Sequence, residues 1–337
     1  MLQKILFALI LFTQIGCTQN KGEPTMQSIL THKPYFTVNI NVVNTKIVIN
    51  LNGESIYTSF NKRPKHLVVP VNHLMISGEN VLEVKLLAFK RDNLTLSPKA
   101  EVTVTLQVAD VEKLNTPPVA ISQIVYAKAS TIDSSIEGTY NSLYNFKADK
   151  NGDVKISRLL TEKLSKPRIT EEVRGISLTQ NVTLQTPFPR WSFLDSDNIV
   201  EGNFYDMNRK AYDTLRKRKD IEVVYQIHQR IYDALQRKDV DSIIDLFDER
   251  NQEMDIAMYE PKGYYKNLLY KRLKEDVNNN TRNMLKFIPN KRFFYISEGG
   301  KTLYIRSAIV FNNNAKDGST NYPVLFRKEK GKWIITR

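Results

Sequence analysis

FTVNINVVNTKIVINLNGESIYTS, residues 36–59, decides what the first half of this chain builds. Phe36, Val38, Ile40 and Val42 alternate with Thr37, Asn39 and Asn41. That is the two-residue period of a strand burying one face. Asn52-Gly53 then sits where a tight hairpin turn is expected, since both residues accept positive φ. Outward from this pair come HLVVPV (66–71), a turn at Ser77-Gly78-Glu79-Asn80, and VLEVKLLAF (81–89). EVTVTLQVA (101–109) follows, with Val102, Val104, Leu106 and Val108 on one face. Short strands at regular spacing, broken by turn residues, predict an antiparallel β-sandwich.

Residues 71–87, VNHLMISGENVLEVKLL, resemble sandwich modules in which a Gly-Glu-Asn loop leads into a central strand. Thr116-Pro117-Pro118 marks a break. Beyond it AISQIVYAKAS (120–130) reads as a strand, FKADKNGDVKIS (146–157) as a hairpin around Asn151-Gly152, and GISLTQNVTLQT (175–186) as a further strand. In that last segment Ile176, Leu178, Val182 and Leu184 share a face on which Gln180 is the polar exception. These strands are expected to complete a β-sandwich over 34–195, with 120–145 as a long excursion. A second small β unit, divided off near 109–120, is the alternative.

Around residue 205 the apolar period changes from 2 to 3.6. Tyr205 to Arg218 is a charged helix candidate over the linker, residues 196–219. In IEVVYQIHQRIYDALQRKD (221–239), Ile221, Val224, Ile227, Ile231 and Leu235 form one stripe. VDSIIDLFDER (240–250) predicts a second helix with Asp239 as N-cap. YYKNLLYKRLKEDV (264–277) predicts a third, with Tyr265, Leu268, Leu269 and Leu273 inward, ended by Asn278-Asn279-Asn280. The strands MLKFI, RFFYIS, KTLYIRSAIVF and YPVLFRKEKGKWIITR follow, with turns at Glu298-Gly299-Gly300 and Glu329-Lys330-Gly331. Helices followed by antiparallel strands predict an α+β domain over 220–337. The fold class expected is therefore mixed, all-β followed by α+β.

Residues 220–337 resemble the NTF2-like fold, in which a long helix and a short one cover a strongly curved sheet. IEVVYQIHQRIYDAL, VDSIIDLFDER and the closing LFRKEKGKWIITR carry the resemblance. It implies that Trp333 lies against the sheet. It also implies a pocket within the sheet's cone, where His228 on the main helix and Tyr295, Tyr304 and Arg306 on the strands are candidates. The fold hosts enzymes and binding modules alike, so it assigns no activity.

The first residues, MLQKILFALILFTQIGC, combine a basic start with an apolar run from Ile5 to Phe12 and a small residue before Cys17. They resemble a bacterial lipoprotein signal: Ile15 and Gly16 fit the lipobox, and Gln14 stands where the family has Leu. The resemblance implies removal of residues 1–16, acylation of Cys17, and a membrane anchor of several acyl chains, such as palmitate. An ordinary signal peptide with an incidental cysteine is the other reading. Residues 17–33 would form the lipidated cysteine and a polar tether. Thr18, rather than Asp, after the cysteine points to the outer membrane in a diderm host.

Cys17 is the one cysteine among 337 residues, so an acylated chain has no thiol left for a disulfide. The net charge of +13 falls by one with Lys4 and is dispersed, with Arg216-Lys217-Arg218-Lys219 the densest run. Export argues against nucleic acid as the partner. The histidines are His32, His66, His73 and His228, and only His228 falls within an apolar stripe. Asp149, Asn151 and Asp153 alternate as in a calcium loop, yet position 12 is Leu160, so an Asx-rich turn explains them and no metal is expected. Asp195 and Asp197 read as residues shaping the interdomain turn. No nucleophile elbow, P-loop or HExxH helix occurs, and no cofactor is expected. The sequence therefore reads as a lipid-anchored envelope protein that binds a protein or glycan without catalysis, for instance as an immunity protein against a secreted toxin. A structural envelope-assembly role and an enzyme using the NTF2-like pocket are the alternatives.

Overall fold

A computed structural model describes residues 33–59, 63–87, 99–113, 116–127, 139–142, 145–148, 154–157, 168–170, 175–200, 209–287, 294–297, 299–305, 308–313 and 319–336. The fold is β-rich and mixed, with antiparallel sheets dominating and helices few. The N-terminal strands are β1 (Pro34–Val43), β2 (Lys46–Leu51), β3 (Glu54–Ser59), β4 (Lys65–Pro70), β5 (Gly78–Leu87) and β6 (Glu101–Asp110). They continue with β7 (Val119–Ala127), β8 (Thr139–Ser142), β9 (Asn145–Ala148), β10 (Val154–Ser157), β11 (Arg168–Thr170) and β12 (Gly175–Leu184). One five-stranded sheet runs β4-β1-β6-β7-β8 and another β11-β12-β5-β2-β3, while β9 and β10 pair by themselves.

The two large sheets share one core. Phe36, Val38, Ile40 and Val42 of β1 are buried with Ile47, Ile49 and Leu51 of β2, and with the apolar faces of β5, β6 and β12. This is the face that alternation selects. The β2–β3 turn has Asn52 at φ 54° and Gly53 at φ 81°, the double positive φ of a hairpin whose twist matches its strands. Gln180 is buried on the apolar face of β12, and its Oε1 accepts a 2.6 Å hydrogen bond from Ser122 Oγ on β7 of the other sheet. A buried amide that joins the two sheets is satisfied rather than wasted.

The C-terminal half holds α1 (Arg209–Arg216), α2 (Lys219–Gln236), α3 (Asp248–Ala257) and α4 (Tyr264–Asn278). Its strands are β13 (Arg282–Met284), β14 (Phe294–Ile296), β15 (Thr302–Ile305), β16 (Ile309–Asn313), β17 (Ser319–Tyr322), β18 (Leu325–Glu329) and β19 (Lys332–Thr336). These make a four-stranded sheet, β14-β15-β18-β19, and a three-stranded one, β13-β16-β17. Ile221, Val224, Ile231 and Leu235 of α2 are buried in a second core with Phe294, Ile296, Leu303, Phe326 and Ile335.

Three local expectations are corrected. KTLYIRSAIVF is not one strand: β15 pairs with β14 and β18, β16 with β13 and β17, so the segment passes from one sheet to the other. A β-prone run long enough for two strands, with no Gly or Pro within it, reads like one. The helix expected from Val240 starts only at Asp248, after a 3-10 turn at Ile244–Phe247. Asp239 Oδ1 accepts a 3.2 Å bond from Ser242 N, so it closes the turn over 239–242 and does not cap the helix. Residues 120–145 are not a plain excursion, because β7 and β8 are paired members of a five-stranded sheet. The Asn151-Gly152 turn lies outside the described residues, although the β9 and β10 that flank it are paired from Ala148 and Val154 onward.

The two cores meet along a hydrogen-bonded seam. Asn72, fully buried in a 3-10 turn after β4, accepts from Phe36 N at 2.6 Å through Oδ1. Its Nδ2 donates to Pro34 O at 3.2 Å and to Ala257 O, at the end of α3, at 2.7 Å. Ala257 itself belongs to the first core although its helix belongs to the C-terminal half. Tyr259 adds a hydroxyl bond to Pro34 O at 3.1 Å and a ring contact with Phe188 at 6.0 Å. Further along, Thr302 Oγ1 donates to Glu54 Oε2 at 2.7 Å, and Ser192 N donates to Glu253 Oε1 at 2.8 Å. Ile199 N to Gly300 O and Asp197 N to Lys328 O bind the connecting segment to the C-terminal sheet at 2.9 and 2.7 Å.

Replacing Asn72 by Leu leaves three buried backbone groups without that amide. We expect a loss of about 3 kcal/mol or more in urea unfolding. Asn41→Ala, on the exposed side of β1, should cost under about 0.5 kcal/mol in the same measurement.

Candidate functional site

The residues singled out from the sequence do not converge on one point. Cys17, Arg306, His32 and the Asp149-Asn151-Asp153 group lie outside the described residues. Tyr295 and Tyr304 are register partners on β14 and β15, and their rings stack at 5.2 Å. Tyr304 pairs onward with Leu325. Trp333 pairs with Lys328, which shares its face of β18 with Phe326, two residues earlier. His228 rests on Phe326, with ring centroids 4.9 Å apart. The sheet therefore separates the candidates, with His228 and Trp333 on one face and the tyrosine pair on the other. Asp195 forms an ion pair with Arg190, and Asp197 Oδ2 accepts from Gly331 N at 3.1 Å, within the connecting segment.

His228 is a core residue. Its Nδ1 donates to Val224 O at 3.0 Å, one helical turn back, and Phe287 stacks on its ring at 5.7 Å. Nε2 is buried with no hydrogen-bond partner among the described residues. Burial lowers its pKa to about 4, against the opposing effect of the Val224 bond, so the ring is neutral at physiological pH.

A different place gathers chemistry. Between α4 and β17 lies a cavity of about 450 Å³, with Arg250 of α3 in its lining. Its geometry starts from Asp255, a buried carboxylate near the end of α3. Asp255 accepts from Gly263 N at 2.6 Å and from Tyr265 N at 2.8 Å, so it sits on the positive N-terminal end of α4. Gly263, at φ 89°, makes the turn that brings α4 back across α3. This fixes Tyr265, Leu268, Leu269 and Arg272 along the cavity wall. On the opposite wall Tyr322 of β17 donates its hydroxyl to Asp276 Oδ2 at 2.6 Å, and Arg282 pairs with the other oxygen of the same carboxylate. Asp276 is thereby fully engaged.

Arg250 and Arg272 are left over. The Arg250 guanidinium is part-buried and donates to Asn251 Oδ1 at 2.8 Å. Among the described residues no carboxylate pairs with either arginine. Burial lowers the Arg250 pKa from the usual arginine value, and the like charge of Arg272 pushes the same way while Tyr265 opposes it. Burial also raises the hydroxyl pKa values of Tyr265 and Tyr322, so both stay neutral. The arrangement can receive an anion. Sequence reading passes over it, because Arg250 and Arg272 look like ordinary solvated helix charges until Asp276 is seen to be taken by Arg282.

A second cavity of about 780 Å³ beside α1 and α2 mixes Asp213 and Glu222 with Arg216 and Lys217 and focuses no one sign of charge. Among the described residues no group of acidic, His or Cys side chains is placed to hold a metal ion, and no helix is long and apolar enough to cross a membrane. No protein-family model matches the chain, and neither does any curated protein or solved structure.

The state of His228 gives the stability a pH dependence. The unfolded imidazole takes up a proton below about 6.5, the folded one only near 4, so stability is full above 6.5 and falls as pH drops between the two. Urea unfolding across this window should show about 3 kcal/mol of acid-side loss from this residue. His228→Leu should flatten that part of the slope.

Proposed function

We propose that this chain is a lipid-anchored protein of the bacterial cell envelope that acts by binding another molecule, a protein or a glycan, in the cleft between α4 and β17. The observation that carries the reading is Arg250. A part-buried guanidinium with no carboxylate partner among the described residues costs folding free energy, and a bound anion offsets that cost. Sites that bind charged groups are where such uncompensated charges gather. The seam supports the same reading. Buried bonds from Asn72 and Thr302 join the N-terminal half to α3 and the C-terminal sheet, and a part-buried one from Ser192 ties the connecting segment to α3. A cleft built on α3 and α4 is thereby preorganised.

The anchor comes from the sequence: leader removal before Cys17, acylation there, and a tether to β1, with the outer membrane favoured by Thr18. The finer fold assignment is part of this proposal as well. The two sheets on one core suit a β-sandwich. The helix α2 lying across β14-β15-β18-β19 suits an NTF2-like domain, with the cleft at its flank rather than in its cone. The dispersed positive charge suits an acidic partner, which it would steer toward the body.

The test is made in the native host. Labelled palmitate is expected on the wild-type protein and absent from Cys17→Ser. Crosslinking in isolated envelopes is expected to capture one stoichiometric partner, with capture lost in Arg272→Glu. A retained leader with no label removes the anchor, and capture that ignores Arg272→Glu removes the cleft.

A further inference from the structure

We propose that the α4–β17 cleft takes a ligand through a single carboxylate set beside an apolar ring or chain. This rests on the reading of the cleft as a binding site and assigns its ligand class. Among the described residues, the charged side chains of the lining are Arg250, Arg272 and Arg282 against Glu275 and Asp276, which leaves one positive charge in excess. Arg282 and Asp276 cancel each other in a direct pair. One negative charge therefore balances the remainder. A dianionic phosphate monoester would bring two, and would place the second beside Glu275 and Asp276.

The donors fit a planar acceptor. Asn251 holds one edge of the Arg250 guanidinium and leaves the rest of its fork to the cleft, where a carboxylate can accept two parallel bonds. Arg272 stands at the exposed rim and meets the same anion from the solvent side. The Tyr265 hydroxyl, with no bond to another described residue, is a further donor on the wall. Leu268, Leu269 and Pro323 supply an apolar wall for the body of the ligand. The volume of about 450 Å³ falls within the ordinary range for a small-molecule site.

The experiment uses the full mature chain and three probes of one shape: benzoate, its neutral amide benzamide, and phenyl phosphate. N-acetyl-phenylalanine runs in parallel as a mimic of a polypeptide C-terminus, to separate a free acid from a chain end. Calorimetry or ligand-observed NMR is expected to show benzoate or the capped amino acid binding at one site. Benzamide and phenyl phosphate should each bind about tenfold more weakly or worse. Arg272→Gln, at an exposed position, should fold normally and weaken the carboxylate by about tenfold, as should Arg250→Gln where it folds. Benzamide binding as tightly as benzoate, or binding indifferent to Arg272→Gln, overturns the proposal. Phenyl phosphate binding more tightly than both carboxylates overturns the ligand class and leaves the cleft as an anion site. Silence from all four probes overturns both.

Discussion

The carboxamide of Asn72 is the interaction on which the rest of the architecture depends. It has one acceptor oxygen and two donor hydrogens, and all are used on main-chain groups of two separate segments: Phe36 and Pro34 of β1, and Ala257 of α3. Nothing aliphatic could fill that role, because each of those groups would stay polar and buried. Through Ala257 the end of α3 is set into the first core. The position of α3 then dictates Asp255, the start of α4 and the direction of the arginine cleft. Arg327 ties the same helix to β18 through a two-pronged contact with Glu249, at 2.7 and 2.6 Å. One side of α3 is thus fixed by an amide and another by a guanidinium.

The sequence was most readable where period and turn chemistry act locally. The alternation of β1, the Asn52-Gly53 turn and the stripe of α2 all need only neighbours within a few residues, and each is found, with Ile227 alone of the stripe only partly buried. It was least readable where a β-prone run has two equally good partitions. Residues 301–311 hold no Gly or Pro to mark a break, yet they contribute to two sheets whose partners, β18 and β17, lie further along the chain. The late start of α3 has a similar cause. Ile243, Ile244 and Phe247 satisfy both a helical stripe and a tight 3-10 turn, and packing into the second core chooses the turn.

The site shows the same limit more sharply. His228 attracted notice because histidine in an apolar stripe is rare, but a stripe is what packs a core, and there the ring lies against Phe287 and Phe326. Arg250 and Arg272 drew none. Their significance is relational: Arg272 has Asp276 four residues on along the same helix, an apparent partner, and only the fold shows Asp276 committed to Arg282 and Tyr322. Charge patterns along a helix reveal which pairs are available, not which are taken. Asn72 was equally silent, since a lone asparagine beside a turn is expected in solvent more often than in a core.

Pro34 opens β1, and its carbonyl receives both the Asn72 amide and the Tyr259 hydroxyl. From that same residue β1 runs in register with β6, and from Thr37 with β4 on its other side. A pull applied to the N-terminal end of the body therefore meets two flanking ladders and the joint between the halves at once. The ladders run along the strand, so such a force shears many bonds together instead of unzipping them singly. The start of β1 is mechanically stiff, and tension arriving there would be shared by both halves.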